Sequence, residues 1–285
     1  MKRKGMKRKL HTAGKIVLAL FVILGLGFGY NCWMNAMFVT NFYTVESDKV
    51  IKSVRIVELS DLHLSEFGQD NEKLVQRIRG LAPDIIAVAG DMNIDENEDY
   101  SIVTTLMEQL VKIAPVYYAP GNHEWASIYA FHYTDLPDDL EALGVHWMNQ
   151  TYEDIEVNGN TIRIGGFFEW PRTELEREGS KKVADALNDN KDAYNVLICH
   201  CPEVLKTSLR KDKFDLVLSG HAHGGQIRLP FTDGLWSTSQ GFLPKYTSGV
   251  RKMGKSKVVI SRGLGDSEPW PRINNQPELV VVDIH

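Results

Sequence analysis

Five short apolar segments of this sequence each run directly into Asp, Asn or His, and this arrangement constrains the fold more than any other feature. The segments are rich in β-branched residues and are separated by stretches with helical periodicity, which is the pattern of βαβ units with parallel strands. Ligands of open α/β sheets bind beyond the carboxyl ends of the strands, so we expect the polar residues to converge on one site. Those residues are Asp61, His63, Asp91, Asn122, His123, His200, His221 and His223.

The same periodicities predict the order of the elements after residue 53. Apolar runs predict strands at 54–59, 84–89, 116–119, 152–157, 161–167, 195–199, 214–218, 258–261 and 279–284. Apolar residues at helical spacing predict helices at 69–79, 100–111, 135–143 and 174–187. The Asn158-Gly159 step predicts a hairpin between two of the strands.

The polar residues at the strand ends offer carboxylate, amide and imidazole groups, and none offers a thiolate. Such ligands suit Mn, Fe or Zn. Side chains two apart on an extended segment point the same way, so Asp61 and His63 can contact one ion. Asp91 follows Gly90, and its position suits a carboxylate that bridges two ions. A single D-x-H or H-x-H sequence is common by chance, but polar ligands at five strand ends are not.

The motifs around these residues resemble the five motifs of the calcineurin-like metallophosphoesterase superfamily, in order and in spacing, over about residues 54–285. The motifs are S-D-L-H at 60–63, G-D at 90–91, G-N-H-E at 121–124, the isolated His200, and G-H-A-H-G-G-Q at 220–226. R-G-L-G at 262–265 and Pro271-Arg272 are similar to the bacterial branch of membrane-tethered phosphodiesterases. Glu124 stands where Asp is frequent and Ala222 where Thr is frequent, and neither change removes a ligand.

The resemblance implies a fold, a metal site and a reaction. The implied fold is a four-layer αββα sandwich of two mixed sheets with helices outside. One implied metal ion is bound by Asp61, His63, Asp91 and His223, and the other by Asp91, Asn122, His200 and His221. His123 would stabilise or protonate the leaving-group oxygen. Two ions about 3.5–4 Å apart can share a water and lower its pKa toward neutrality, so that hydroxide attacks the phosphorus in line.

The N-terminal region predicts a membrane anchor. Seven basic residues lie within residues 1–15, and residues 16–45 contain no charged side chain. The apolar run reaches the length of about 20 residues that a spanning helix needs. The basic flank places the N-terminus in the cytoplasm and the following domain outside. We therefore expect a cytoplasmic leader at 1–15, a single transmembrane helix at 16–37, a connector at 38–53 and a metallophosphoesterase domain at 54–285, on the extracytoplasmic side of the cell membrane. The alternative is a cleaved signal peptide, although no clear A-x-A-like site follows the run.

Composition and charge exclude some classes of protein. The 285 residues are 43% hydrophobic and 24% charged, as in a folded protein with a substantial core. Removing the seven N-terminal positive charges from the net charge of −5 leaves −12 for the rest, which argues against non-specific nucleic-acid binding. Cys199 and Cys201 flank His200, and Cys32 lies at the membrane. We interpret all three as free thiols, with zinc ligation the weaker alternative.

Two functions from different classes remain open from the sequence. One is hydrolysis of a phosphodiester, pyrophosphate or monoester at the cell envelope, with a substrate linked to lipid or to the cell wall. The other is a metal-bearing scaffold or binding module without catalysis. Arg262 and Arg272 could bind the substrate phosphate or form salt bridges. Trp236, Phe242 and Trp270 could form a lip that faces the membrane. The sequence does not indicate an oligomeric state.

Overall fold

The computed structural model describes residues 2–95, 99–132, 134–168, 173–209, 212–267 and 271–285. Its compact units are residues 1–37 and residues 38–285. The first unit contains helix α1 (Lys2–Asn35), in which residues 11–35 are long and apolar enough to cross a membrane. Length and composition alone support that statement, and a signal sequence would meet the same criteria.

The second unit contains the remaining helices and all strands of the described chain. The helices are α2 (Glu72–Leu81), α3 (Ser101–Leu110), α4 (Asn122–Tyr129), α5 (Leu136–Ala142) and α6 (Glu174–Asp189). The strands are β1 (Val39–Val45), β2 (Val54–Leu59), β3 (Ile85–Ala89), β4 (Val116–Ala119), β5 (His146–Trp147), β6 (Thr151–Val157), β7 (Asn160–Gly166), β8 (Tyr194–Ile198), β9 (Leu216–Ser219), β10 (Trp236–Ser237), β11 (Gly241–Phe242), β12 (Gly249–Met253), β13 (Ser256–Ile260) and β14 (Glu278–Ile284).

These strands form two large mixed sheets and one small hairpin. The first sheet has the order β1-β14-β2-β3-β4-β5, in which only the β14–β2 pair is antiparallel. The second sheet has the order β12-β13-β9-β8-β7-β6, in which the two outermost pairs are antiparallel. Strands β10 and β11 pair with each other. The mixed α/β class predicted from the sequence is confirmed.

Successive side chains of a strand point to opposite faces of its sheet, and this alternation explains the layers of the fold. Ile56 of β2 and Val196 of β8 belong to one buried cluster, which contains inward-facing residues of both sheets. The neighbouring residue Val57 belongs to a second cluster with α2 and α3, and Leu197 belongs to a third cluster with α6. Because the central strands are covered on both faces, their sequences are continuous apolar runs rather than alternating ones.

The predicted connector at 38–53 was wrong in part, because residues 39–45 form strand β1 at the edge of the first sheet. Its polar residues suggested an unstructured segment, but they contact the neighbouring strand. Asn41 Nδ2 and Tyr43 Oη donate to Glu278 Oε1 of β14, at 2.5 and 3.0 Å. An edge strand is covered less than a central one, so its sequence need not be apolar.

Candidate metal centre

The predicted site residues lie at the carboxyl ends of five strands. Asp61 and His63 follow β2, Asp91 follows β3, and Asn122 and His123 follow β4 in the first sheet. The remaining three, His200 after β8 and His221 and His223 after β9, belong to the second sheet. The strands that carry them are neighbours within each sheet, so the two sets of side chains face one another across the sandwich.

One group of side chains consists of Asp61, His63 and His223, whose nearest ligand atoms lie within 4.8 Å of one another. The two Nε2 atoms of His63 and His223 are 3.3 Å apart. His223 Nε2 lies 3.5 Å from Asp61 Oδ1. Two imidazole nitrogens and a carboxylate oxygen therefore point at a common volume.

A second group consists of Asp91, His200 and His221, again within 4.8 Å. His200 Nε2 lies 2.9 Å from Asp91 Oδ2 and 3.1 Å from His221 Nδ1. His200 Nδ1 donates a hydrogen bond to the carbonyl oxygen of Ala89 at 2.6 Å, because a carbonyl can only accept. A neutral His200 consequently turns the lone pair of Nε2 toward the Asp91 carboxylate, a contact that is favourable only when a cation or a proton lies between them.

Asn122 supplies a further test of whether metal ions fit. Its Oδ1 is buried and has no hydrogen-bond partner among the described residues. Buried polar atoms without a partner are costly, and a ligand atom of an ion is a common reason for one. The donor set of carboxylate, amide and imidazole groups suits Mn, Fe or Zn. The residues present therefore fit a pair of divalent ions.

His123 lies beside both groups at the mouth of the site. Its Nε2 is 3.9 Å from Asp91 Oδ2, its ring centroid is 4.7 Å from that of His63, and its Nδ1 contacts the Asp95 carboxylate. A cavity of about 230 Å³ opens here, and it is lined by Asp91, Asn122, His123, His221, His223, Thr238 and Ser267. His123 thus faces the space in which a substrate would lie.

Backbone conformation holds five of the predicted ligands in a sparsely populated region. The φ angles are +49° at Asp61, +45° at His63, +56° at Asp91, +70° at His221 and +43° at His223. A left-handed conformation of this kind costs a non-glycine residue about 1–3 kcal/mol, and such residues concentrate at functional sites. The surrounding hydrogen bonds enforce it: the His221 N–H donates to Asp61 Oδ1 at 3.0 Å.

Two glycines in the motifs allow the ligand-bearing segments to approach one another. A Cβ atom on Gly220 would lie 2.3 Å from Asp61 Oδ2, and one on Gly121 would lie 2.2 Å from Asp91 Oδ1. Any side chain at these positions would therefore displace a predicted metal ligand.

Burial and charge set the protonation of these groups. Burial lowers the pKa of His63 and of His221 to about 3 and that of His223 well below its usual value, so these imidazoles are neutral and offer a lone pair. Burial alone would raise the pKa of Asp91, but the nearby His200 holds it well below its usual value. Burial raises the pKa of Asp61 to about 6.

Glu124 contributes to the site although it points away from the cavity. Its buried carboxylate accepts hydrogen bonds from the backbone N–H groups of Asp91 at 2.8 Å, Met92 at 2.6 Å and Gly121 at 2.8 Å. The hydroxyl of Tyr118 donates to it at 2.7 Å. One side chain thus joins the segment after β3 to the turn after β4.

The two arginines that the sequence left open both make internal contacts. Arg262 Nε lies 3.2 Å from Glu278 Oε2, which is a salt bridge. The buried guanidinium of Arg272 donates to the carbonyl oxygens of Arg262 at 2.7 Å and Gly265 at 2.5 Å, and its Nη2 lies 3.2 Å from His223 Nδ1. Arg272 therefore supports the back of the site.

Sequence reasoning missed several residues of the site. Asp95, Thr238 and Ser267 lie in loops, and no periodicity or spacing marks them. Glu124 was noticed only as a departure from the common motif, although an acidic residue at the third position of a helix is a recognisable capping signal. A larger cavity, of about 650 Å³, lies between α6 and residues 204–209, and its described lining contains no histidine.

Comparisons with known proteins agree with this geometry. A family model described as calcineurin-like phosphoesterase matches residues 54–225. The chain is 28% identical to the uncharacterized metallophosphoesterase YkuE of Bacillus subtilis (strain 168), over 90% of this chain and 89% of the relative. It is 25% identical to a Danio rerio transmembrane protein with a metallophosphoesterase domain, over 74% of this chain and 52% of the relative. The solved structure of TT1561 of Thermus thermophilus matches with a TM-score of 0.50 and 15% identity, over 75% of this chain and 91% of that one, which supports the fold.

Proposed function

Because this chain belongs to the calcineurin-like phosphoesterase family, we propose that it uses two divalent metal ions to hydrolyse a phosphate ester or phosphoanhydride of the cell envelope. The coarser class rests on the family model and on relatives named metallophosphoesterases: the chain is a hydrolase of phosphoric esters. The proposal adds the pair of ions, their ligands and the location of the substrate.

The proposed ligands divide into two sets that share Asp91. Asp61, His63 and His223 would hold one ion, and Asn122, His200 and His221 would hold the other. The observation that carries this assignment is the close approach of His200 Nε2 to Asp91 Oδ2, at 2.9 Å, with the Nδ1 proton committed to the Ala89 carbonyl. Divalent ions held there would offset negative charge on the phosphoryl oxygens and lower the pKa of a water molecule.

His123 is the proposed general acid. It lines the cavity, and the contact of its Nδ1 with the Asp95 carboxylate fixes the direction of the ring and leaves Nε2 on the side of Asp91. From that position it protonates the leaving-group oxygen, or stabilises the charge that develops on it. The hydroxyl groups of Thr238 and Ser267, which line the same cavity, are placed to orient the phosphoryl oxygens.

The proposed location is the extracytoplasmic face of the cell membrane. The basic leader and the apolar residues 11–35 support an uncleaved anchor with its N-terminus in the cytoplasm. Substrates that fit this location are phosphodiesters, pyrophosphates and monoesters linked to lipid or to the cell wall. A reporter fused after residue 50 tests the orientation, since it should be active only when exported; cytoplasmic activity would overturn it.

Metal analysis joined to an activity assay tests the reaction. The purified chain should contain close to two divalent ions and hydrolyse bis-p-nitrophenyl phosphate or p-nitrophenyl phosphate. Asp91→Asn should lose both metal and activity, whereas Asp70→Asn, at an exposed position outside the site, should keep both. A chain that binds metal but turns over neither compound would favour the alternative of a catalytically silent scaffold.

A further inference from the structure

The loop between the last predicted ligand and β12 exposes five large apolar side chains within residues 229–243. Phe231 is fully exposed, Phe242 is 70% exposed, and the other three are about half exposed. We call these five residues the apolar rim: Leu229, Phe231, Trp236, Phe242 and Leu243. Large exposed apolar clusters mark surfaces that bind a protein, a ligand or a membrane, whereas scattered single residues do not. Trp270, which the sequence also suggested for a membrane-facing lip, lies outside the described residues.

The rim is built on the segment that carries the metal ligands. Trp236 and Phe242 pair across the β10–β11 hairpin, and the turn of that hairpin contains Thr238, which lines the cavity with His221 and His223. The N–H of Leu235 donates to the carbonyl oxygen of Gly225, two residues after His223, at 2.9 Å. One short hairpin therefore has a polar turn in the cavity and apolar side chains on the outside.

The charge of this loop and the candidate membrane span of the chain indicate what covers the apolar rim. Residues 224–255 contain five basic side chains and one acidic one, Asp233, which pairs with Arg251. Lys245, Lys252 and Lys255 are exposed, in a domain that is otherwise acidic. Basic and aromatic residues together suit the interface of a bilayer with anionic lipids, where Trp is enriched. The same chain carries a candidate membrane span, and β1 begins four residues after α1 ends. An uncleaved span would keep the domain close to a membrane surface.

We propose that the apolar rim inserts into the lipid interface and that the substrate is a phosphoester whose apolar tail remains in the bilayer. This inference rests on the proposed function and on α1 as an uncleaved anchor. The rim would then hold the cavity at the depth of the lipid head groups, so that Thr238 meets the phosphoryl group while the tail stays among the acyl chains. A single anchor leaves the domain free to rotate, and the rim supplies the orientation that the anchor lacks.

Spin labelling of the full chain in lipid nanodiscs tests insertion without any need for activity. In a Cys32→Ser background the remaining cysteines are buried, so a nitroxide can be attached at Phe231→Cys. Leu175→Cys, at a position 77% exposed on α6, is the matched control. We expect the label at 231 to be relaxed more by oxygen than by a water-soluble nickel chelate, and the label at 175 to behave in the opposite way. The same behaviour at both positions would overturn insertion.

Paired kinetic measurements test the substrate class. Phe231→Ser combined with Phe242→Ser should lower kcat/KM about tenfold or more for a p-nitrophenyl phosphodiester of diacylglycerol in nanodiscs, and change it less than about twofold for bis-p-nitrophenyl phosphate in water. Leu175→Ser combined with Ile51→Ser removes exposed apolar residues elsewhere and should change neither.

Equal losses on both compounds, or no loss on either, would overturn the proposed role of the rim. A wild-type chain that hydrolyses neither compound would instead contradict the proposed function. In that case the spin-label measurement still decides whether the rim inserts.

Discussion

The carboxylate of Glu124 accepts a hydrogen bond from the backbone N–H of Asp91, at 2.8 Å. Asp91 is the residue that both proposed ions share, so its position matters more than that of any other ligand. The Glu124 carboxylate also fixes Gly121, which precedes the ligand Asn122. Glu124, which belongs to neither proposed ligand set, thus fixes the backbone of one proposed ligand and the residue before another.

Glu124→Gln should weaken both folding and activity. Glutamine keeps the size of the side chain, but its NH2 group would face backbone N–H donors, which leaves buried donors unpaired. We expect the free energy of unfolding to fall by about 3 kcal/mol and kcat to fall with it. Urea denaturation followed by tryptophan fluorescence gives the first value. Glu66→Gln, at an exposed position, is the control, and equal behaviour of the two variants would contradict the bridging role.

His123→Asn should lower kcat about 10²–10⁴-fold while metal content stays unchanged. The loss should be smaller for esters of p-nitrophenol than for alkyl esters, because a good leaving group needs no proton. A series of leaving groups of increasing pKa measures this. His132→Ala, an exposed histidine nine residues along the chain, should leave the rate unaltered. A loss that does not depend on the leaving group would assign His123 another role.

Removal of metal should cost both activity and stability. Bound ions stabilise the folded state by mass action, because folding brings together ligands that are far apart in the unfolded chain. Dialysis against a chelator should therefore abolish turnover and lower Tm, and Mn²⁺, Fe²⁺ or Zn²⁺ should restore both. In Asp91→Asn the chelator should change Tm much less than in the wild type. A Tm that does not respond to the chelator in the wild type would speak against the proposed ligands.

Glu58→Gln should stabilise the protein after its metal has been removed with a chelator, and the gain in stability should increase as the pH rises. Glu58 lies buried between the sheets, and burial, with Glu278 and Asp61 nearby, raises its pKa well above 4.5. The folded state then binds the proton more tightly than the unfolded state, so the contribution of Glu58 to stability falls as the pH rises above about 4.5, by up to about 1.4 kcal/mol per pH unit. Glutamine removes that dependence. The free energies of unfolding of Glu58→Gln and the wild type, measured in urea, should differ more at pH 8 than at pH 5. For the exposed Glu66→Gln the difference from the wild type should be the same at both pH values.

Gly220→Ala should abolish metal binding although it replaces none of the proposed ligands. The added Cβ would lie 2.3 Å from Asp61 Oδ2 and would push that carboxylate out of place. Gly80→Ala is the control, because a Cβ there meets nothing within 4 Å and alanine favours a helix by about 1 kcal/mol. Metal content measured by atomic emission should fall only in the first variant. Full metal loading of Gly220→Ala would show that the segment can shift.

Much of the fold and the site could be predicted from the sequence because both follow from short-range patterns. β2 and β4 occupy the residues predicted for them, since a strand covered on both faces is a continuous apolar run. The eight polar residues meet because parallel strands end at one edge. His200 could be proposed as a ligand although it stands alone, since an apolar run precedes it directly.

The remainder depends on contacts between distant residues, which periodicity does not show. β1 is a strand because Asn41 and Tyr43 meet Glu278, more than 230 residues away. The helix that begins at Asn122 carries few apolar residues at helical spacing, so no periodic pattern indicated it. Asp95 and Thr238 reach the site through loops whose course is set by tertiary packing.

The order of strands in the first sheet means that this sheet can be completed only at the end of synthesis. β14 lies between β1 and β2 and pairs with both, although it follows β2 by more than 200 residues. Until residues 278–284 have been synthesised, β2 presents an open edge to solvent and to other chains. An emerging polypeptide therefore exposes this edge to other chains until its last large strand has been made, and we expect the yield of folded protein to depend on chaperones as well as on intrinsic stability.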